Sequence, residues 1–271
     1  MAIKIGLAIA PENALPSAFV VFRDRLEVSI AKAAALGYDG IELALLEKSQ
    51  VDVERLKALI QQFGLELPVV STGQVFGEAR LWFSHPDPVI RNRAVEQFKG
   101  LIEIAAEFGA RINIGRVRGP IAGNPSQSAA EDNFLACLAI LADYGKLLGV
   151  ELILEPVNRY EIDYVNTCEE GARIIEKCGH DNVKLMPDVY HMNIEDPSIE
   201  GAFLKYFEKI SYIHFADSNR YAPGKGHIDF QSVIGTLRAL NYQGYVTIEI
   251  LPYPDPDSAA REAIQYLRKY I

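Results

Sequence analysis

The chain has 271 residues and a composition typical of a globular protein, with 49% hydrophobic and 23% charged side chains. Its 36 acidic and 27 basic residues give a net charge of −9, which argues against a nucleic-acid or anionic-membrane partner. No run reaches the roughly 18 apolar residues that a membrane span requires. The three cysteines are scattered and form no CxxC pair, which fits a reducing compartment and predicts a cytoplasmic location.

Short β-branched runs alternate with longer amphipathic segments along the whole chain. Eight of these runs are predicted as strands, at residues 3–9, 40–45, 65–72, 111–117, 151–157, 183–188, 211–216 and 245–251. Most of them are continuously apolar, which is typical of strands that are covered on both faces. The N-terminal run lacks the basic start of a signal peptide and is predicted to be the first strand.

The segments between the strands are predicted as helices, at residues 23–36, 52–63, 89–108, 129–148, 169–178, 199–207, 230–240 and 258–270. Four of them end before Gly37, Gly64, Gly109 and Gly149, and glycine readily adopts the left-handed conformation that ends a helix. Eight such units predict an α/β fold, a single (β/α)8 TIM barrel over residues 1–271. A doubly wound open sheet is the alternative, but the G-x-G-x-x-G turn that it favours does not follow the first strand.

Each of the last four predicted strands carries an ionisable residue at or near its carboxyl end, where the catalytic groups of such barrels lie. These residues are Glu155, Asp188, His214 and Glu249. Any one of them could form a structural ion pair, but three carboxylates converging on one point would repel each other without a cation. Oxygen donors with one imidazole favour Mn²⁺, Mg²⁺ or Co²⁺. The sequence therefore predicts one divalent metal ion held by these four side chains.

Polar residues in the neighbouring loops predict a site for a polyhydroxylated ligand. The residues predicted to hydrogen-bond it are Glu161, His191 and Arg220. Arg116 and Arg118 follow the fourth strand, where arginines could grip a substrate carboxylate with two parallel hydrogen bonds. Pairing of these arginines with neighbouring acids is the alternative. Gln74, in a Ser-Thr-Gly-Gln turn after the third strand, is predicted to bind a substrate hydroxyl.

The chain resembles the xylose-isomerase-like TIM barrel superfamily, and within it the D-tagatose 3-epimerase-like sugar epimerases. The resemblance is carried by Glu155-Pro-Val-Asn-Arg-Tyr-Glu161, Asp188-Val-Tyr-His-Met-Asn-Ile-Glu195, His214-Phe-Ala-Asp-Ser-Asn-Arg220 and Glu249. The segments Ser71-Thr-Gly-Gln74 and Arg116-Val-Arg-Gly119 are similar to the 5-keto-L-gluconate epimerase branch of this family.

The resemblance implies one divalent cation, usually manganese, on the four predicted ligands, and a sugar or sugar acid held by Glu161, His191 and Arg220. It implies an isomerase that interconverts ketose or keto-aldonate epimers by removing and returning a proton beside the carbonyl, through an enediolate. Glu155 and Glu249 are then the predicted acid and base pair. His191 and Arg220 would bind the oxygens of the intermediate, and Glu161 would orient His191 or a substrate hydroxyl.

Other functions remain open at this stage. An aldose–ketose isomerase would return the proton to the neighbouring carbon, and a sugar-binding barrel without catalysis would exchange no substrate proton. A metal-dependent nuclease of the same superfamily is disfavoured, because such enzymes require further histidines from strands two to four, and no histidine of this chain falls at the ends of the first four predicted strands.

Barrel epimerases of this type often pair, so the resemblance also leaves a homo-oligomer open.

Overall fold

A computed structural model describes residues 3–15 and 19–271, so residues 1, 2 and 16–18 of the predicted domain lie outside the described part. Nine parallel strands form one curled sheet in that part. They are β1 Lys4–Pro11, β2 Phe22–Asp24, β3 Gly40–Ala44, β4 Glu66–Ser71, β5 Arg111–Ile114, β6 Leu152–Leu154, β7 Val183–Leu185, β8 Ile213–Phe215 and β9 Tyr245–Ile248.

Ten α-helices accompany these strands within the described residues. They are α1 Leu26–Leu36, α2 Val53–Phe63, α3 Gly73–Gly77, α4 Pro88–Glu107, α5 Gln127–Leu147, α6 Cys168–Cys178, α7 Val189–Glu195, α8 Ile199–Tyr206, α9 Phe230–Ala239 and α10 Pro256–Leu267. The glycines predicted to end helices do so in the left-handed conformation, with φ of 87° at Gly37, 64° at Gly64 and 70° at Gly149.

The sheet closes on itself, with β1 hydrogen-bonded to β3 on one side and to β9 on the other. Its seam lies between β7 and β8, where single bridges join Leu185 to Ile210 and Asp188 to His214. The N–H of His214 donates to the carbonyl of Pro187 across this seam, over 2.9 Å. The predicted (β/α)8 barrel is thus confirmed and the doubly wound sheet is wrong.

Seven of the eight predicted strands are too long at their carboxyl ends, whereas the first, predicted to end at residue 9, continues to Pro11. The predicted strands 151–157 and 183–188 stop in the structure at Leu154 and Leu185. Pro156 and Pro187 follow shortly after these ends, and proline has no N–H to continue the ladder. Residues 23 and 24, predicted as helical, instead belong to β2, which pairs with the end of β1. The short helices α3 and α7 were not predicted.

Three apolar clusters of the described residues hold the barrel together. The largest lies between the strands and the surrounding helices. A second fills the barrel interior below the carboxyl ends of the strands, and consists of Val69, Ile153, Met186, Tyr212 and Tyr245. A third, small one includes Ala8 and Ala10 of β1 and Ala44 at the end of β3. Both faces of the strands are therefore covered, which explains why their sequences are continuously apolar.

Among residues 3–15 and 19–271, no helix combines the length and the apolar character that a bilayer crossing requires. The cytoplasmic location stays a prediction.

A buried carboxylate joins two helices on the outside of the barrel. Glu131 on α5 accepts hydrogen bonds from Arg173, over 2.7 Å, and from Lys177, both on α6. The hydroxyl of Tyr164 also donates to it, over 3.1 Å. The hydrogen bond from Arg173 is the largest influence and holds the pKa of Glu131 at about 2, against the opposing effect of burial.

Because this pKa is depressed in the folded state, Glu131 contributes stability that is complete above about pH 4.5 and is lost as the pH falls towards about 2. Replacing it, Glu131→Gln, is expected to lower the free energy of unfolding by about 2 kcal/mol at pH 7 and by much less at pH 3. Urea unfolding at the two pH values measures this. The control Glu169→Gln removes a carboxylate whose ion pair with Lys205 is exposed, and is expected to change stability by less than about 0.5 kcal/mol. Equal losses for Glu131→Gln at pH 7 and pH 3 would contradict the linkage.

Candidate active site

The four side chains predicted as metal ligands meet at the mouth of the barrel. Glu155 follows β6 directly, Asp188 caps the N-terminus of α7, His214 lies within β8 and Glu249 follows β9. One ligand atom from each lies within 4.8 Å of the others. Nδ1 of His214 is 3.5 Å from Oε1 of Glu155 and 3.7 Å from Oε2 of Glu249. The convergence that the sequence predicted is therefore present in the structure.

The donor set fits a divalent cation. Three carboxylates and one imidazole, without sulfur, are the donors that Mn²⁺, Mg²⁺ and related ions prefer. Nδ1 of His214 is buried and has no hydrogen-bond partner among the described residues, and an orphaned buried nitrogen is costly unless another group binds it. A metal ion bound at this cluster would satisfy that nitrogen and reduce the repulsion between the carboxylates.

Arg220 supplies positive charge beside the same carboxylates. Its Nη1 lies 3.0 Å from Oδ2 of Asp188, and its Nη2 donates to Oε2 of Glu249. The guanidinium lies over the rings of Phe19 and Tyr190, at 4.8 and 4.6 Å from their centroids. Since a carboxylate oxygen has two lone pairs, contact with Arg220 leaves each of these oxygens able to accept a second partner.

A tight loop after β8 places Arg220 there. The arginine has a left-handed backbone with φ of 62°, which is rare for a residue other than glycine. Asp217 anchors the loop, because its Oδ1 accepts the N–H groups of Ser218 and Ile228 and its Oδ2 accepts that of Gly224. A side chain at Gly226 would place its Cβ 2.3 Å from Oδ1 of Asp217, so the loop requires glycine at that position.

The two glutamates of the cluster bind protons with different strength. Burial raises the pKa of Glu249 to about 8, although the charges of His214 and Arg220 act in the opposite direction. Burial also opposes ionisation of Glu155, but the adjacent imidazole of His214 outweighs it and holds the pKa of Glu155 at about 2. Neighbouring carboxyl groups whose pKa values are pushed apart are typical of acid and base pairs.

Two buried polar residues that the sequence analysis did not single out support the cluster. Glu42, in the middle of β3, lies 2.8 Å from Nε2 of His214. Asn113, in β5, donates from Nδ2 to Oε2 of Glu155 over 2.9 Å. Gly115 leaves room for that carboxylate, since a Cβ there would lie 2.7 Å from Oε2 of Glu155. Glu42 and Asn113 each interrupt an apolar strand, which is the signal that could have found them.

His191 lies on α7 with its ring in the same cleft. Its Nε2 is 3.8 Å from Oδ2 of Asp188 and 4.0 Å from Oε1 of Glu155. Burial, followed by the charge of Arg220, lowers the pKa of His191 well below its usual range, so the imidazole is neutral. Asn158 contacts Nδ1 of this ring over 2.7 Å. Asn158 lies between this ring and Glu161, because its Nδ2 also donates to Oε1 of Glu161 over 3.3 Å. The predicted role of Glu161, to orient His191 or a substrate hydroxyl, stays a prediction.

The cleft beside the cluster carries the remaining residues predicted to bind substrate. Glu161, Gln74 and Arg116 all line it. Nη1 of Arg116 lies 3.7 Å from Oε2 of Glu161, and its guanidinium lies near the rings of Phe19 and Phe76. The arginine is partly exposed and faces the cleft.

Arg118 does not reach the cleft, so the prediction that it grips a substrate is wrong. Its side chain is fully buried, and it donates four hydrogen bonds of 2.8–3.0 Å to backbone carbonyls. The carbonyls belong to Gly115, Glu155, Tyr164 and Val165. Burial lowers the pKa of Arg118 to about 10, which still leaves it charged at neutral pH. Arg118 thus joins the loops that follow β5 and β6.

The closed barrel and the acidic centre at its mouth define a class of protein. The description of the Xylose isomerase-like TIM barrel family matches residues 30–270. Among curated relatives, L-ribulose 3-epimerase of Methylomonas sp. is 32% identical over 82% of this chain and 77% of its own length. The 3-dehydro-D-guloside 4-epimerase of Escherichia coli is 30% identical over 86% of this chain and 90% of its own length.

Solved structures agree with these relatives. D-allulose 3-epimerase from Methylomonas sp. superposes with a TM-score of 0.84, at 26% identity, over 99% of this chain and 98% of that one. A further crystal structure of that enzyme contains D-allulose, and a D-psicose 3-epimerase from Clostridium cellulolyticum has been solved with D-tagatose. This chain belongs to the ketose 3-epimerase (D-tagatose 3-epimerase-like) family of xylose isomerase-like TIM barrels.

Replacing Arg118 by lysine is expected to destabilise the fold by about 2–4 kcal/mol, because an ammonium group cannot reach four carbonyls that a planar guanidinium satisfies together. Thermal and urea unfolding measure the loss. The control Arg116→Lys changes a partly exposed arginine two residues away, and is expected to cost less than about 1 kcal/mol. Similar losses for the two variants would contradict a framework role for Arg118.

Proposed function

We propose that this protein is a metal-dependent sugar epimerase that interconverts ketose or keto-aldonate epimers, with residues 1–271 acting as one domain. The observation that carries the proposal is the buried convergence of Glu155, Asp188, His214 and Glu249 at the barrel mouth. Relatives at about 30% identity that are named as sugar epimerases support it. Mn²⁺ is the proposed ion, with Mg²⁺ or Co²⁺ as alternatives.

A divalent ion held by these donors would supply Lewis-acid polarisation of the substrate carbonyl. Glu155 and Glu249 approach the centre from different strands, β6 and β9, and both carboxylates face His214. In the proposed reaction one glutamate removes the proton from the carbon beside the carbonyl, and the other returns a proton to the opposite face. Their roles exchange in the reverse direction.

Three further side chains are proposed to hold the sugar. His191 and Arg220 border the four-residue cluster and are proposed to hydrogen-bond the oxygens on which negative charge develops during the reaction. Glu161 lies further out in the cleft, where its carboxylate is proposed to accept a hydrogen bond from a substrate hydroxyl. Gln74, on α3, is proposed to contribute in the same way.

Removal and return of a substrate proton is tested by turnover in deuterium oxide with the metal-loaded protein and a panel of ketoses and keto-aldonates. Solvent deuterium is expected at the epimerised carbon, and chelation is expected to stop the exchange. Glu155→Gln and Glu249→Gln are each expected to lower kcat by about 10²–10⁴-fold, because each removes one proton-transfer group.

The surface variant Glu169→Gln, which changes an exposed side chain paired with Lys205, is expected to keep normal turnover and serves as the control. Near-normal kcat in either glutamine variant would contradict the scheme with two glutamates. Deuterium at the neighbouring carbon would identify an aldose–ketose isomerase, and sugar binding without exchange would identify a non-catalytic barrel.

Arg116 is proposed to select acidic sugars, as in the 5-keto-L-gluconate epimerase branch that the sequence resembles. Its guanidinium faces the cleft and touches Glu161 only at 3.7 Å, which leaves its donors available to a substrate carboxylate. Arg116→Ala is therefore expected to lower kcat/KM for keto-aldonates by about 10–100-fold and that for neutral ketoses by less than about threefold. Equal losses on both substrate classes would contradict this assignment.

A further inference from the structure

His214 presents its two ring nitrogens to different surroundings. Nε2 lies 2.8 Å from Oε2 of Glu42, whereas Nδ1 faces Glu155 and Glu249 at 3.5 and 3.7 Å. An ionised carboxylate accepts hydrogen bonds and cannot donate one, so the contact with Glu42 puts the ring proton on Nε2. A metal ion bound at the cluster would take the lone pair of Nδ1, while the proton on Nε2 would stay with Glu42.

The surroundings of Glu42 leave His214 as its ion-pair partner. The residue is fully buried in the middle of β3, and its Oε1 has no hydrogen-bond partner among the described residues. Within those residues no lysine or arginine pairs with it, and His214 is its ion-pair partner. The hydroxyl of Tyr212 is its other polar neighbour. A buried carboxylate without a lysine or arginine is costly, so its contact with the ring nitrogen of His214 calls for a functional reason.

We propose that Glu42 is a positioning residue, which holds the imidazole of His214 with its proton on Nε2 and the lone pair of Nδ1 open to a metal ion. The inference rests on the metal site of the proposed function, but not on the sugar chemistry. Groups that fix a ligating histidine from behind in this way set the orientation of the ring and strengthen its bond to the metal.

An independent set of contacts fixes the orientation of the His191 ring, with Nδ1 turned away from the cleft and Nε2 turned toward it. The backbone N–H of Asn158 donates to Nδ1 of His191 over 3.4 Å, and Nδ2 of Asn158 lies 2.7 Å from the same nitrogen. The amide orientation of Asn158 is set by its neighbours, because its Oδ1 accepts the N–H of Tyr160 and its Nδ2 donates to Glu161. Nη1 of Arg220, also a donor, lies 3.3 Å from Nε2 of the same ring. The two contacts from Asn158, one of them shorter, assign the acceptor role to Nδ1, so the neutral ring carries its proton on Nε2.

Asn158 is accordingly a second positioning residue, which keeps His191 as a hydrogen-bond donor to the substrate. Both histidines carry a proton on Nε2. His214 presents the lone pair of Nδ1 to the metal site, whereas His191 presents the N–H of Nε2 to the cleft. A ligand and a donor are thus obtained from the same tautomer, because Glu42 accepts from one ring and Asn158 donates to the other.

The role of Glu42 is tested by Mn²⁺ titration calorimetry on the full chain. Glu42→Leu removes the acceptor and is expected to weaken Mn²⁺ binding by about 10–100-fold, whereas Glu42→Gln keeps an acceptor oxygen and is expected to recover part of that loss. Glu131→Gln, which alters a buried carboxylate on the outer helices, controls for general destabilisation and is expected to bind Mn²⁺ normally.

Nuclear magnetic resonance shows which ring nitrogen carries the proton, a property that a purely structural role of Glu42 would not determine. Long-range ¹H–¹⁵N spectra of the Mg²⁺-loaded protein are expected to show a protonated Nε2 for both His191 and His214, with the signals assigned from His191→Gln and His214→Gln. If Glu42→Leu does not fold, this spectrum and the Mn²⁺ affinity of Glu42→Gln still test the positioning role of Glu42. A proton on Nδ1 of His214, or Mn²⁺ binding by Glu42→Leu within twofold of the parent protein, would overturn the role of Glu42.

The role of Asn158 is tested by Asn158→Asp and Asn158→Leu. The aspartate is expected to accept a hydrogen bond from Nδ1 of His191 and so move the ring proton away from Nε2, with kcat falling by up to about 100-fold on any sugar that is turned over. An unchanged tautomer of His191 in Asn158→Asp would overturn this role. Because the spectra and the Mn²⁺ titration require no turnover, a protein without epimerase activity that gave the expected results would refute the proposed function and leave both positioning roles supported.

Discussion

The constraint on which the molecule depends is the meeting of three carboxylates and an imidazole within 4.8 Å of one another in a largely buried barrel mouth. Such a cluster repels itself and is poorly solvated, so its cost must be offset by cations and by donors held in fixed places. Arg220 neutralises Asp188 and Glu249 from one side, and Asn113 donates to Glu155 from another. A divalent ion is the remaining positive charge that the cluster calls for.

The surrounding loops hold in position the charged groups and hydrogen-bond donors that stabilise the cluster. Asp217 accepts three backbone N–H groups and so fixes the loop that carries Arg220 in its left-handed conformation. Glu42 and Asn158 act on the two histidines from outside the cleft, as an acceptor and a donor respectively. The chemistry of the mouth is therefore set by residues that would not themselves touch a bound sugar, and those residues lie on elements distributed around the barrel.

The fold and the four ligands could be predicted because both leave a local signal: apolar runs that alternate with helices, and ionisable residues where those runs end. Strand ends were misjudged because prolines, rather than hydrophobicity, end the ladder after β6 and β7. Glu42 was missed because it lies inside a strand and not at its end. The roles of Arg116 and Arg118 could not be separated from the sequence, since a single 3-10 turn directs one toward the cleft and the other into the protein.

Arg118 has a consequence for how such a protein can change over evolution. All four of its hydrogen bonds go to main-chain oxygens, and none depends on the identity of a side chain in the loops that it joins. The rim residues that face a ligand can therefore be exchanged while the backbone beneath them stays in place. A barrel built in this way can acquire a new preference among ligands by point mutation, without rebuilding the scaffold that carries its reactive groups.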